Sequence, residues 1–283
     1  MNWGRAKTIL IVLFLIVDLF LFVVLMRTKA SVSHIAKETV EQTVAFALEN
    51  GIQISAEQIP QKRINNQSIL LHNFFAQPEK GAKKMLGEDA RVTETDPANY
   101  HFVYESPKGT VSVSSLGFYY TKTQEASSEG NEKADQREII RQVYHALYRM
   151  GIPAESVELI SPGEENGLYT FEAIPRYEGE KIFGVSMHIV TDGKDIIRMS
   201  GNWFSGVEEE PQEGTLLDIT AVVAGLSFQE GKKPMTVQSV GSAYYVADEY
   251  VNSREISAVP VYTIQDDKDN IHIFDARDGS VIA

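Results

Sequence analysis

One acidic residue in the middle of an apolar run is the first candidate for chemistry. Residues 9–26 comprise eighteen positions, of which seventeen are apolar and one is Asp18. An Asp at the centre of a membrane-spanning helix costs about 2.5–3.5 kcal/mol on insertion scales, and such residues tend to face protein. The position therefore predicts a hydrogen bond to a partner helix. A protonated residue that the helix merely tolerates is the alternative.

The predicted partner contact includes the residues on the same helical face as this acid. Spacings of three and four residues bring side chains to one side of a helix. The face consists of Ile11, Phe14, Leu15, Asp18, Leu21, Phe22 and Leu25. Because the run has no Gly-x-x-x-Gly pattern for close helix packing, the carboxyl group is its most distinctive feature for recognition.

Outside this run, the residue types that carry catalysis form no recognised motif. No two of the six histidines have the i,i+4 spacing of a helical metal site. Gly225-Leu-Ser227-Phe-Gln229 departs from a nucleophile elbow at its last position, and the turn at 266–270 lacks the central Gly and final Glu of a calcium loop. We expect no catalytic, cofactor-binding or metal-binding residue, no cofactor and no enzymatic activity.

The charge is distributed unevenly along the chain. The formal net charge is −13, and residues 1–29 contribute +3, so residues 30–283 carry −16. An acidic domain repels nucleic acid, which argues against nucleic acid as a partner. The chain has no Cys, so its stability must come from core burial, for which about 250 residues are sufficient.

The apolar run is long enough to cross a bilayer once. A spanning helix needs roughly 17–25 residues, whereas the apolar part of a signal peptide has about 7–15 and precedes a small-residue cleavage site. Arg27-Thr28-Lys29-Ala30 is a poor cleavage site, so we expect an uncleaved anchor instead of a signal peptide. The predicted arrangement is a cytoplasmic segment 1–8, a transmembrane helix 9–26 in the lipid bilayer of the cell membrane, and an extracellular C-terminal domain.

The remaining chain predicts an α+β fold of two modules, each with a helix and an antiparallel sheet. Apolar stripes favour a helix at 32–50, continuing the membrane helix as a stalk or packing on the first sheet, and others at 134–150 and 216–228. Residues 123–133 lack large apolar side chains and form the expected linker. The first module is therefore expected at 30–122 and the second at 134–283. Strands are predicted at 68–72, 100–105, 110–114, 117–121, 167–177, 181–191, 195–204, 235–250, 257–265, 270–275 and 280–282.

Two further patterns bear on this organisation. The first two helices end at Gly51-Ile52 and Gly151-Ile152, which indicates a short internal repeat unless the similarity is due to chance. Aromatic residues cluster at 118–120, 203–204 and 244–245. Aromatics favour strands, so core packing is the first interpretation of these clusters and an exposed protein interface is the second.

The two ends of the chain resemble the YycI (WalI) family. Members of this family begin with a Trp, a few polar residues, Lys and Thr ahead of one anchor helix, and this chain begins Met1-Asn2-Trp3-Gly4-Arg5-Ala6-Lys7-Thr8. Val259-Pro260-Val261-Tyr262, Ile271-His272-Ile273-Phe274-Asp275-Ala276 and Asp278-Gly279 look like the last hairpin of that family. Size, acidity and the missing cysteines agree with the resemblance over the whole chain.

The resemblance implies a non-enzymatic accessory protein of low-GC Gram-positive bacteria. Such a protein modulates the cell-wall sensor histidine kinase WalK together with a companion of similar design, YycH, through transmembrane and extracellular contacts. Two alternatives stay open on the residues alone. One is an anchored enzyme acting on cell-wall polymer, which would need two carboxylates across a cleft. The other is an extracellular ligand-binding or protease-inhibitory module with a deep pocket.

Overall fold

The computed structural model describes residues 14, 17–18, 34–61, 67–123, 135–165, 167–210, 215–226, 234–247 and 254–282. The α-helices in these ranges are α1 (Lys37–Glu49), α2 (Pro78–Leu86), α3 (Gln136–Arg149) and α4 (Ile219–Leu226). The first strands are β1 (Ile52–Gln53), β2 (Ile69–Asn73), β3 (Arg91–Asp96), β4 (His101–Ser106), β5 (Gly109–Ser114), β6 (Gly117–Lys122) and β7 (Val157–Glu165). The others are β8 (Leu168–Tyr177), β9 (Glu180–Phe183), β10 (Met187–Thr191), β11 (Ile196–Gly201), β12 (Phe204–Glu209), β13 (Met235–Tyr245), β14 (Glu255–Asp266) and β15 (Ile271–Asp275).

The fold is α+β, which confirms the expected class. Its large sheet is mixed, whereas the sequence predicted antiparallel sheets. Most neighbouring strands are antiparallel, as hairpins require. The parallel pairs are β1 with β13, where Ile52 faces Met235, and β13 with β9, where Tyr244 faces Ile182. In both pairs a long connection separates β13 from its partner, which parallel pairing requires.

The described residues belong to two compact units. The terminal unit takes its residues from Met1–Asn66, Gly214–Gly241 and Tyr262–Ala283, and the central unit from Gln67–Glu213 and Ser242–Val261. This division differs from the expected modules at 30–122 and 134–283. Most of the expected linker, residues 124–133, lies outside the described residues. Strands β4–β6 before it and α3 after it both contribute to the core of the central unit.

The terminal unit is completed by residues from the far end of the chain. Helix α1 buries Val40 and Ala47, which lie seven positions apart on one face. Their core includes Val223 from α4, Ile264 from β14 and Phe274 from β15. Because β1 has only two residues, the segment containing α1 has no sheet of its own and depends on these distant strands. The helix thus packs in a core, in agreement with the packing alternative to a free stalk.

The central unit buries α2 and α3 against its strands. One fully buried residue from each of five elements shows the arrangement: Leu86 of α2, Leu147 of α3, Val111 of β5, Phe171 of β8 and Ile189 of β10. The strands follow the order β9-β8-β10-β11-β6-β5-β4-β3, and β7 also pairs with β8. Strand β3, the last in this order, is exposed at nearly every residue. A second apolar cluster joins Ile69, Leu71, Ile182, Tyr244 and Val246.

The predicted repeat corresponds to one local structure that occurs once in each unit. Gly51 after α1 has φ +80° and Gly151 after α3 has φ +83°, a conformation that L side chains rarely adopt. In both places the next residue, Ile52 or Ile152, is buried, and a short 3₁₀ helix follows. The left-handed glycine turns the chain so that the isoleucine enters the core under the helix.

Two of the predicted strands are interrupted in the structure. The strand expected at 181–191 is divided into β9 and β10 around Gly184, which has φ +85°. The strand expected at 195–204 ends at Gly201, and β12 then begins at Phe204 and pairs with β2 instead of its sequence neighbours. Strands β3 and β7 lie where the apolar pattern predicts no strand. Helix α2 lies in the polar stretch 78–97, for which the sequence predicts a short helix or a loop around residues 84–87.

Gly184 provides a test of this backbone geometry. A Cβ added there would clash with the carbonyl oxygen of Val246, and its φ is unfavourable for any L side chain. We expect Gly184→Ala to lower the free energy of unfolding by about 1–3 kcal/mol, measured by urea denaturation. Gly163→Ala is the matched control, because a Cβ at Gly163 meets nothing within 4 Å. Equal stability of the two variants would contradict the proposed clash.

Candidate functional site

The predicted partner contact is only partly covered by the structure. Phe14 and Asp18 are helical and exposed, and a four-residue spacing places them on one side of a helix. The other members of the face lie outside the described residues: Ile11, Leu15, Leu21, Phe22 and Leu25. Among the residues that the structure does describe, no helix is both long and apolar enough to cross a membrane. The contact stays a prediction.

The aromatic clusters lie mainly in the core. Phe118 and Tyr120 are buried on β6, whereas Tyr119 between them is 48% exposed. This alternation follows from the two-residue period of a strand with one covered face. The other buried members are Trp203, Phe204 and Tyr244. Core packing is therefore confirmed for these five residues, and Tyr119 is the exposed exception.

A polar cluster on three strands was not foreseen from the sequence. His72 on β2 lies between two carboxylates, with Nε2 3.5 Å from Glu208 Oε1 and Nδ1 3.3 Å from Glu255 Oε1. The two carboxylates face different ring nitrogens, so the three side chains do not converge on one point. In the described ranges no three His, Asp or Glu side chains form a group that could hold a metal ion. The expected lack of metal and cofactor stays a prediction.

The carboxylate of Asp266 organises the turn between β14 and β15. Its oxygens accept hydrogen bonds from the Asn270 side chain at 2.9 Å and from the backbone N–H groups of Lys268 and Asn270, each at 2.9 Å. His272 Nε2 lies 3.4 Å away. These bonds, that of the Asn270 side chain foremost, favour the charged form and lower the pKa of Asp266 to about 2. The Asp266 carboxylate therefore stabilises the backbone of the hairpin turn at 266–270.

Asp275 has the same role at the end of β15. Its Oδ1 accepts the backbone N–H of Arg277 at 2.8 Å, and the Arg277 guanidinium binds both carboxylate oxygens. The hydrogen bond to Asp275 raises the pKa of Arg277. Both of these buried carboxylates therefore bind turns that follow their own strands.

A cleft of about 510 Å³ in the central unit combines cations with an apolar lining. We call it the basic cleft. Its four cations come from separate elements and are Lys84 on α2, Lys108 between β4 and β5, Lys122 on β6 and Arg149 on α3. Its apolar lining includes Met85, Tyr120, Met150 and Ile196. The volume lies within the range of about 300–1,000 Å³ that is typical of ligand pockets.

Two of the four cations in the basic cleft have visible partners. Lys122 Nζ lies 2.6 Å from Asp195 Oδ2, which is the one carboxylate in the lining. Lys84 Nζ lies 5.0 Å from the centre of the Phe74 ring, within cation–π range. Lys108 and Arg149 are exposed side chains that project into the same space. The arrangement can bind an anion electrostatically.

Comparisons with known proteins do not extend this description to a function. No protein-family model and no curated protein sequence matches the chain. An uncharacterized protein from Eubacterium rectale aligns over 82% of this chain and 89% of its own, with 11% identity and a TM-score of 0.48. The C-terminal domain of Bacillus megaterium YpeB aligns over 73% and 93%, with 11% identity and a TM-score of 0.43. Both scores are below 0.5, so neither similarity supports an argument about function.

The lowered pKa of Asp266 predicts a pH-dependent contribution to stability. In the unfolded chain an Asp has a pKa of about 3.9, so the stabilisation is fully present above that pH. It is lost as the pH falls through about 2. We expect Asp266→Asn to lower the melting temperature at pH 7, and the difference from the unsubstituted chain to shrink between about pH 4 and pH 2.

Thermal unfolding at a series of pH values measures this effect. Asp267→Asn is the matched control, because Asp267 is an exposed residue of the same turn. Its backbone N–H donates a hydrogen bond to Thr236 O at 3.0 Å, which the substitution leaves in place. A difference for Asp266→Asn that stays constant down to pH 2 would show that the carboxylate's charge is not what holds the turn.

Proposed function

We propose that the chain is a non-enzymatic accessory protein, anchored in the cell membrane by residues 9–26, that modulates a sensor histidine kinase. The observation that carries the proposal is Asp18 at the centre of the apolar run. An acid inside a membrane-spanning run tends to face protein, so it would give a single-pass anchor a specific way to recognise another helix. The N-terminus would be cytoplasmic and the acidic domain extracellular.

The resemblance to the YycI family names the partners in this proposal. It rests on Trp3, Lys7 and Thr8 ahead of the apolar run and on the motifs of β14 and β15 near the C-terminus. The proposed partners are the kinase WalK and the companion protein YycH. With a net charge of −13, the chain is also unsuited to nucleic acid.

Three of the described carboxylates have structural roles. Asp266 and Asp275 bind turn backbone. In the basic cleft, the carboxylate of Asp195 is held by Lys122 at 2.6 Å, which is an ion pair and not an acid–base pair of carboxylates. These side chains have structural partners that account for their positions.

The physical mechanism of such modulation is a difference in affinity. A partner helix changes the balance between two states of a kinase only if it binds one state better than the other. A hydrogen bond through Asp18 would supply that difference if the kinase presents its own polar group at the same depth in one state only. The proposal therefore concerns binding, and it requires no reaction on this chain.

Replacing Asp18 tests the proposal. We expect Asp18→Leu in the full chain to weaken co-purification with the kinase from membranes by about 3- to 30-fold, the range that corresponds to one interhelical hydrogen bond, and to change kinase autophosphorylation. Asp18→Asn should retain part of the association because it keeps a hydrogen-bonding side chain.

Val23→Leu is the control, since Val23 lies in the same run but outside the predicted face. Association that is unchanged in Asp18→Leu would remove Asp18 from the mechanism. Capture of neither the kinase nor the companion protein by the unsubstituted full chain would overturn the proposed function as a whole.

A further inference from the structure

The basic cleft contains more positive charge than its own carboxylate can balance. Asp195 neutralises Lys122. Among the described residues, no carboxylate lies within ion-pair distance of Lys84, Lys108 or Arg149, although other lysines and arginines of the same unit are paired, such as Lys83 with Glu79 and Arg176 with Glu158. Three cations without a counter-charge converge in a chain whose net charge is −13.

Helix geometry accounts for only part of this convergence. Lys84 and Arg149 lie in the last turns of α2 and α3, where a cation is favoured by the helix dipole. Lys108 lies in the turn between β4 and β5, but its Nζ lies near Gly87, the C-terminal cap of α2, so the same dipole also favours this cation. Lys122 lies at the end of β6 and is held by Asp195. The helix dipoles and the ion pair thus explain each cation singly, but they do not explain why all four line one cavity.

The cations are held apart by separate elements, so they surround a space instead of forming a flexible patch. Lys84 is oriented by the Phe74 ring and Lys122 by Asp195. Lys108 Nζ lies close to α2, since a Cβ added at Gly87 would be 3.2 Å from it. Like charges in one concave site raise each other's free energy, and a bound anion removes that penalty.

The charge and the lining together define the ligand. Three unpaired cations exceed what a single carboxylate can balance, whereas a phosphate monoester carries about −1.5 to −2 charges at pH 7 and offers three acceptor oxygens. Arg forks and Lys ammonium groups both bind phosphate oxygens well. Met150 and the edges of Tyr120 and Ile196 provide apolar contact beside the cations.

We propose that the basic cleft binds an organic phosphate, with Lys108 and Arg149 holding the phosphate group and the apolar lining contacting the carbon skeleton. The site is independent of the proposed membrane contact at Asp18 and of the identity of the kinase. The proposal gives the central unit a ligand-binding role, which the accessory function does not require.

Calorimetric titration of the full chain in neutral-detergent micelles tests the site. The probes are inorganic phosphate, sn-glycerol 3-phosphate, succinate, and mixed micelles that contain phosphatidic acid, whose headgroup is a phosphate monoester, or phosphatidylcholine. We expect glycerol 3-phosphate to bind more tightly than inorganic phosphate and succinate, and the affinity to fall as NaCl is raised from about 0.05 to 0.5 M. Binding of phosphatidic acid micelles alone would identify the phosphate source as a lipid headgroup, and binding of the soluble ester would identify a free phosphorylated molecule.

The double variant Lys108→Gln/Arg149→Gln should weaken binding by at least about tenfold, because each cation donates charge-assisted hydrogen bonds to the phosphate. These two positions are exposed and hold no ion pair in the described structure, so we expect the fold to be retained, which melting curves verify. The matched control is Arg91→Gln/Arg198→Gln, which removes the same charge from exposed positions of the same unit outside the cleft.

Three results would overturn the proposal. The first is no binding of any phosphate-bearing probe up to about 10 mM. The second is an equal loss of affinity in the control variant, which would indicate a general charge effect. The third is succinate binding as tightly as glycerol 3-phosphate, which would exclude phosphate recognition. If the cleft variant does not fold, the salt dependence and the ranking of probes on the unsubstituted chain decide the question.

Discussion

The packing of α1 against elements from the far end of the chain is the interaction on which the terminal unit depends. Val40 and Ala47 of the helix share a core with Ile264 and Phe274, which lie more than 200 positions further along the chain. Since β1 has only two residues, the N-terminal segment cannot bury this face by local contacts. Closing so long a loop costs conformational entropy, and the apolar area buried by the helix must compensate for it.

The central unit solves the same problem with residues that are closer in sequence. Helix α3 follows strands β4–β6 and precedes β7 and β8, so its buried face finds partners on both sides of it along the chain. Both units nevertheless use one local device, a helix that ends at a left-handed glycine followed by a buried isoleucine. The shared device and the different sheets around it explain why the repeat is visible only over a few residues of sequence.

Ionic contacts follow a division of roles within the described residues. Asp266 and Asp275 accept hydrogen bonds from neighbouring backbone groups and from the side chains of Asn270 and Arg277, so their charge contributes to the geometry of turns. Lys108 and Arg149 have no such partner and share one concave space. In a chain with a net charge of −13, cations that converge without a carboxylate partner are the more informative feature.

Sequence patterns predicted the local elements much better than their assembly. Strands β4, β5 and β6 lie within one residue of the predicted bounds, because alternating apolar residues and tight turns determine them locally. The units were not predictable, since no local pattern shows that α1 packs with β15. The basic cleft was missed for the same reason: Lys84 and Arg149 are 65 positions apart, and only the tertiary fold brings them to one cavity. Arg149, near the end of the predicted helix 134–150, was the available signal, and the helix dipole explains its position equally well.

The connection between the apolar run and the terminal unit limits how the proposed regulation can work. Seven residues, 27–33, separate the run from the described chain at His34, and they can span at most about 25 Å. Immediately afterwards, Ile35 is buried and its N–H donates to Gln61 O at 2.8 Å. If the proposed membrane helix is displaced by more than this short segment can extend, the displacement therefore acts on a packed core. Because packed cores switch between discrete arrangements instead of deforming continuously, the core of the terminal unit is the element on which a membrane contact at Asp18 would act.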